Sequence, residues 1–331
     1  MYKRTDSLGD IHEKTIKLLD NQKKIDEYIK YRKEFDDASN FKEIQKYPIH
    51  IDIEVDNFCN FAWTFCPIGQ KDNELHKYYK DLKSLDIEKV FSILDEAKKI
   101  GVKSVQFSLV NEPLTNKNIF KFIEYANKLN FSDIFFVTNG YLLNEKNSQK
   151  ILESGLSKIQ ISLDAFSEKT YSERKLKNFK PANYNKTISN VLKFIELKKK
   201  LKKSFPLIRV SFIELSTNKH EFLDFKNFWK SKVDAINYQK LVDYSKKNKI
   251  SKQVDEMSCN MPMFRLAIKS DGNVKPCCVG FGEKINLGNI YESTLSDIWN
   301  SKFMRDLQKI HIEKKAYKNK ICEECLKNTN G

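Results

Sequence analysis

Pro48 is followed by Ile49-His50-Ile51-Asp52-Ile53-Glu54-Val55, where apolar and polar residues alternate without a break. That alternation predicts a β-strand. The period then changes. Asp86 precedes Ile87, Val90, Phe91 and Leu94 at helical spacing, and Gly101 is placed to end the helix. A strand over 102–110 follows, then a helix carrying Ile119, Phe122, Ile123 and Ala126. Next come a strand over 133–138, a helix near 143–155 and a strand over 158–164. A long helix is built on Ile188, Val191, Leu192 and Ile195. Strand 207–213, a helix near 219–232 and a short strand near 235–239 complete the series. Residues 1–48 are highly charged with scattered apolar positions, which predicts a helical extension of one or two surface helices.

Six strands separated by helices imply βα units around a parallel sheet. Polar residues decide its kind: Asp52 and Glu54, Gln106 and Ser108, Gln160, Ser162 and Asp164, and Arg209 and Ser211 each recur at a spacing of two. A doubly wound sheet is covered on both faces and should be apolar on both. One polar face per strand predicts instead an α/β fold of the partial (β/α)6 TIM-like barrel type, its inner wall lining a wet cavity. The alternative is an α+β sheet with one solvated face. The barrel should occupy 49–240, a polar linker 241–258, and a small cysteine-bearing domain 259–331.

The formal net charge of +15 raises nucleic acid as a partner. The lysines are spread along the whole chain, however, and runs such as Lys198-Lys199-Lys200 read as solvated helix faces. No stretch interleaves aromatic and basic residues as a single-strand binder would. Charge therefore changes little. No run of about 18 apolar residues predicts a membrane span, and the first ten residues lack a signal-like stretch, so a cytoplasmic protein is expected.

Seven cysteines, 59, 66, 259, 277, 278, 322 and 325, form an N-terminal pair and a C-terminal group. An odd number without an export signal points to metal rather than disulfides. Cys59 lies just past the first strand, where barrel active sites are built. The stretch Cys59-Asn60-Phe61-Ala62-Trp63-Thr64-Phe65-Cys66-Pro67 resembles the Cys-x3-Cys-x2-Cys loop of the radical S-adenosylmethionine (radical SAM) superfamily. Asn111-Glu112-Pro113-Leu114 resembles that family's Gly-Gly-Glu motif, Thr138-Asn139-Gly140 its third-strand ending, and Ser162-Leu163-Asp164 with Arg174 its ribose and carboxylate contacts. The resemblance runs over about 49–331. It implies that Cys59 and Cys66 ligate a [4Fe–4S] cluster whose open iron chelates SAM, with Phe65 in the usual aromatic position. It further implies that Glu112 meets the SAM ammonium and Arg174 its carboxylate, and that Asn111, Thr138, Asn139, Ser162 and Asp164 complete the pocket. Asp52, Arg209 and Asp164 also face the inferred cavity. The departure is Trp63, which stands at the middle ligand position: indole nitrogen is a donor only and cannot bind iron. The chain as written is expected to lack a stable SAM-cleaving cluster.

Cys259, Gly272-x4-Cys277 with Cys278 adjacent, and Cys322-x2-Cys325 form a metal constellation that by itself suits tetrahedral zinc. Asp271-Gly272-Asn273-Val274 reads as a hairpin turn within it. The segment resembles the SPASM/twitch domain of radical SAM enzymes. That resemblance implies one auxiliary [4Fe–4S] cluster on Cys259, Cys277, Cys322 and Cys325, with Cys278 either replacing Cys277 or simply buried. It also implies an oxidoreductase or modifying enzyme that takes a small-molecule or peptide substrate and draws electrons from a flavodoxin or ferredoxin. The rival expectation is a non-catalytic interaction protein on the same fold.

Overall fold

The computed structural model describes residues 5–6, 11–64, 66–69, 74–173, 183–240, 257–278 and 284–329. Phe65 and Arg174, and most of the expected linker, lie outside them. After β1 (Thr5–Asp6) come helices α1 (Ile11–Leu18) and α2 (Gln22–Ser39). A repeating series then runs β2 (His50–Ile53), α3 (Ile87–Ile100), β3 (Ser104–Gln106), α4 (Ile119–Lys128), β4 (Asp133–Thr138), α5 (Glu145–Glu153) and β5 (Lys158–Ser162). It continues with α6 (Glu168–Glu173), α7 (Tyr184–Lys200), β6 (Leu207–Glu214), α8 (Phe222–Trp229) and β7 (Ala235–Lys240). Strands β2 to β7 pair in chain order, every pair parallel. This is the expected partial barrel.

Local chemistry explains the segments. Helix α3 buries Val90, Ile93, Leu94 and Ala97 on one stripe and stops at Gly101, whose φ of 113° is open to glycine at little cost. Strand β3 is far shorter than its 102–110 prediction. Past Gln106 the chain turns, and the Leu109 amide is taken by Asn111 Oδ1 at 3.0 Å rather than by a neighbouring strand. The apolar core lies between the strands' outer faces and the helices, from Ile51 and Val105 through Phe136 and Val191 to Trp229. Helices α1 and α2 lie at the other pole, with Tyr28 and Tyr31 buried beneath them.

The C-terminal region adds β8 (Arg265–Ile268), β9 (Asn273–Lys275), β10 (Gly288–Asn289), α9 (Leu295–Asn300), α10 (Lys302–Ile312) and α11 (Lys320–Thr329). The expected hairpin forms between β8 and β9. It does not stand apart: β8 runs parallel to β2, pairing His50 with Arg265 and Ile53 with Ile268, so one ten-stranded sheet includes both regions.

Candidate active site and cysteine centres

The C-terminal ends of β2, β3 and β4 meet at Glu112. Its carboxylate accepts from Thr138 Oγ1 and the Asn139 amide, both at 2.7 Å, and from the Leu114 amide at 3.1 Å. Its own amide donates to Phe58 O at 2.9 Å, one residue before Cys59. Asn139 Nδ2 donates to Asn60 Oδ1 at 2.8 Å, closing a ring of contacts onto the cysteine loop. Gly140 follows with a φ of 78°, the left-handed turn that lets Asn139 face the site. Burial pushes the Glu112 carboxyl up to about 7, against the pull of its three donors. So placed, Glu112 can accept from a cationic ligand group. Asn111 is buried beside it.

Ser162 sits across from Ser211, whose hydroxyl donates to it at 3.3 Å. Asp164 has a φ of 56° and its Oδ1 accepts from the Ile213 amide at 2.7 Å, so this carboxylate clamps β5 to β6. Asp52, expected to face the cavity as a candidate substrate or SAM contact, is tied to Arg265: Nε lies 3.2 Å from Oδ2, and Nη2 donates to Oδ1 at 3.2 Å. Glu54 likewise holds Lys269 at 2.9 Å. Sequence reasoning missed both partners. Arg265, Ala267 and Lys269 alternate as Asp52 and Glu54 do, a signal readable only once β8 is known to lie beside β2.

Cys59 and Cys66 frame a tight loop. The Cys66 amide donates to Trp63 O at 3.0 Å, and Gly69 approaches so closely that a Cβ there would fall 2.1 Å from the same oxygen. Burial pushes the Cys66 thiol up to about 11 and raises Cys59 as well, with Glu112 adding to the latter. Trp63 is packed edge-on against Phe61 and Tyr171, each ring centroid 5.1 Å away, in an apolar cluster that also takes in Cys59. A three-thiolate cluster does not fit these residues: two sulfurs are offered, and an aromatic ring fills the third position. Among the described residues no group of three or more His, Cys, Asp or Glu is placed to hold a metal ion.

The other cysteines gather at the opposite pole, since Cys259 precedes β8 and Cys277 follows the returning β9. Cys259 and Cys277 both border the apolar cluster of Met261, Met263 and Phe264, Cys259 and Cys322 both border that of Met257, Ala316 and Leu326, and Cys325 lies within electrostatic reach of Cys259 and Cys322. Burial lifts Cys322 and Cys325 to about 12. Arg265 Nη1 donates to Cys278 Sγ at 2.7 Å, and Cys278 also lies within electrostatic reach of Cys259. A single ion would need its donors around one point. A polynuclear cluster spreads its thiolates further apart, and this donor set has the chemistry for one.

Known proteins fall in line with this geometry. The Radical SAM superfamily model matches residues 53–210, and the model of the SPASM iron–sulfur cluster-binding domain matches 259–326. A probable GTP 3′,8-cyclase of Methanocaldococcus jannaschii is 27% identical over 176 residues, 53% of each chain, so this chain spans about half the length of that relative. The S-adenosyl-L-methionine-dependent 2-deoxy-scyllo-inosamine dehydrogenase of Niallia circulans is 24% identical over 288 residues, 83% of this chain and 91% of that one. Among solved structures, BtrN in complex with AdoMet and 2-DOIA superposes with a TM-score of 0.55 at 20% identity, covering 85% of this chain and 93% of that one. SuiB of Streptococcus suis bound to its precursor peptide SuiA gives 0.59 at 16%, covering 88% and 72%. Both models match in the order and places that the barrel and the C-terminal cysteine region occupy, and the chain belongs to the radical SAM superfamily of enzymes, carrying a C-terminal SPASM domain.

Proposed function

We propose that this chain is a radical SAM oxidoreductase scaffold for a small-molecule alcohol, in which Trp63 blocks the SAM-cleaving cluster. The observation that carries it is the pairing of an intact Glu112–Thr138–Asn139 network with an indole packed against Phe61 and Tyr171 beside Cys59. The first would hold the SAM ammonium; the second occupies the space and the valence of the missing thiolate. Family membership implies SAM and iron–sulfur clusters as cofactors, and a bound cluster would supply the electron that SAM cleavage needs.

A small substrate is favoured by the match to the inosamine dehydrogenase, 24% identical over 83% of this chain. Cys259, Cys277, Cys322 and Cys325 are the ligand set we assign to the auxiliary cluster, with Cys278, which accepts from Arg265 Nη1, as the alternative to Cys277. A ferredoxin or flavodoxin is the reducing partner this chemistry calls for.

Anaerobic reconstitution of the chain and of Trp63→Cys tests the reading. The variant should take up one additional cluster's worth of iron and form 5′-deoxyadenosine from SAM, and the parent should do neither. Equal iron and equal product in both would refute it. The edge-on packing of Trp63 into a complete aromatic cluster also favours a second reading, a non-catalytic SAM-binding protein. In that case Trp63→Cys would bind iron yet leave every candidate alcohol unoxidised.

A further inference from the structure

A cavity of about 350 Å3 lies at the N-terminal mouth of the strands, beneath α1 and α2. Arg32 from α2, Lys158 from β5, Arg209 from β6 and Arg265 from β8 line it. Arg265 is committed to Asp52 and Cys278. Lys158 is paired with Asp133, the one carboxylate among the described lining residues. Arg32 stacks on Phe35, its guanidinium carbon 4.4 Å from the ring centroid, and reaches Asp36 at 3.2 Å on the helix surface.

Three of these cations bear on one space. Burial lowers the Lys158 ammonium below its ordinary value; Asp133 opposes that, while Arg209 and Arg32 push it further down. Burial, then Lys158, Arg32 and Arg209, drive the His12 imidazole far below its usual range and keep it neutral. Like charges gathered in a low-dielectric cavity repel one another, and an anion among them would relieve that repulsion. One acceptor points the other way. Asp133 Oδ1 is fully buried and finds no donor among the described residues, although Oδ2 receives both Lys158 and Tyr31.

We infer that this cavity binds a small tetrahedral oxyanion, phosphate either free or borne on a hydroxylated metabolite, between Arg32, Lys158 and Arg209. A planar carboxylate offers one edge to one guanidinium, whereas phosphate presents oxygens in several directions, as cations from three elements require. The volume exceeds what bare phosphate needs and falls within the range of about 300–1,000 Å3 usual for small-molecule pockets. A ligand hydroxyl would satisfy Asp133 Oδ1. The site is separate from the SAM end: Lys158 and Ser162 mark opposite ends of β5, roughly 13 Å apart at a strand's rise per residue. It stands whether or not Trp63 abolishes SAM cleavage.

Calorimetric titration of the full chain with inorganic phosphate and with glycerol 3-phosphate, against chloride at matched ionic strength, tests the inference. One saturable site for phosphate or its ester is expected, weakened at least tenfold in Arg209→Gln and in Arg32→Gln. Tighter binding of glycerol 3-phosphate marks a phosphorylated metabolite as the natural ligand; equal or weaker binding marks free phosphate. Circular dichroism checks that each variant folds, and Arg32→Gln, lying on an outer helix, carries the test if Arg209→Gln does not. Heats indistinguishable from chloride, isotherms unchanged in a folded variant, or displacement of phosphate by SAM would overturn it.

Discussion

Trp63 shares an apolar cluster with Cys59, Glu112 lies within electrostatic reach of the same thiol, and the two carry opposite messages. Glu112 keeps an ionisable group where burial argues against one, while Trp63 puts an apolar ring where the resemblance calls for a thiolate. The cost of keeping Glu112 is measurable. Its carboxyl is raised from 4.5 to about 7, so in the folded chain it holds a proton that the unfolded chain has already released. Stability falls as pH rises from about 4.5 and levels off above about 7, by on the order of 3 kcal/mol if the whole shift is expressed. Urea unfolding at pH 5 and pH 7.5 should show this loss, and Glu112→Gln should flatten it relative to the parent. An unchanged pH slope in the variant would show that Glu112 does not titrate in this window. Thr138 and Ser162 end β4 and β5 as the sequence predicts, whereas Glu112 lies six residues past the end of β3. What Asp164 does was not legible in the sequence: a positive φ and a hold on the Ile213 amide depend on how β5 and β6 sit together.

At the scale of elements, β2 and β8 are joined by more than their ladder. Asp52–Arg265 and Glu54–Lys269 are ion pairs with almost no solvent exposure on either side. Such pairs cost desolvation when formed, yet breaking one strands the surviving charge. Lys269→Met should therefore lower stability by about 3–5 kcal/mol, and adding Glu54→Gln should restore much of the loss. Urea midpoints of the single and double variants check this; additive losses would rule out direct coupling. The alternation of polar residues along 49–55 led to a barrel with a wet wall; the parallel order of β2 to β7 agrees with the barrel, while His50, Asp52 and Glu54 are buried. Asp52 was offered among these as a cavity-facing group for ligand, and it meets a protein cation instead, as Glu54 on the same face also does. Periodicity reports which face a side chain takes. It is silent on what another strand 213 residues later brings to that face.

For the whole molecule, the two cysteine groups lie at opposite poles of one sheet, so their metal contents should be separable. A Cys59→Ala/Cys66→Ala chain, reconstituted anaerobically, should keep the iron and sulfide of the auxiliary cluster. Zinc without sulfide in that chain would return the C-terminal site to the tetrahedral-zinc alternative. The cysteine spacing pointed to metal and by itself to zinc, and the resemblance to iron–sulfur; the position beneath the barrel was legible in neither, because that follows from β8 joining β2. The sheet so formed also has a particular outline. Its two outermost members, β1 and β10, are two residues long, while its longer strands are flanked on both sides. Exposed strand margins are where foreign chains add on. Among the described residues both ends of this large and largely parallel sheet finish on a two-residue strand that runs antiparallel to its neighbour. Each outermost margin is thus a short template, and the C-terminal region supplies one of the two. A lineage that no longer needed the second metal centre would still have a reason to keep the polypeptide around it.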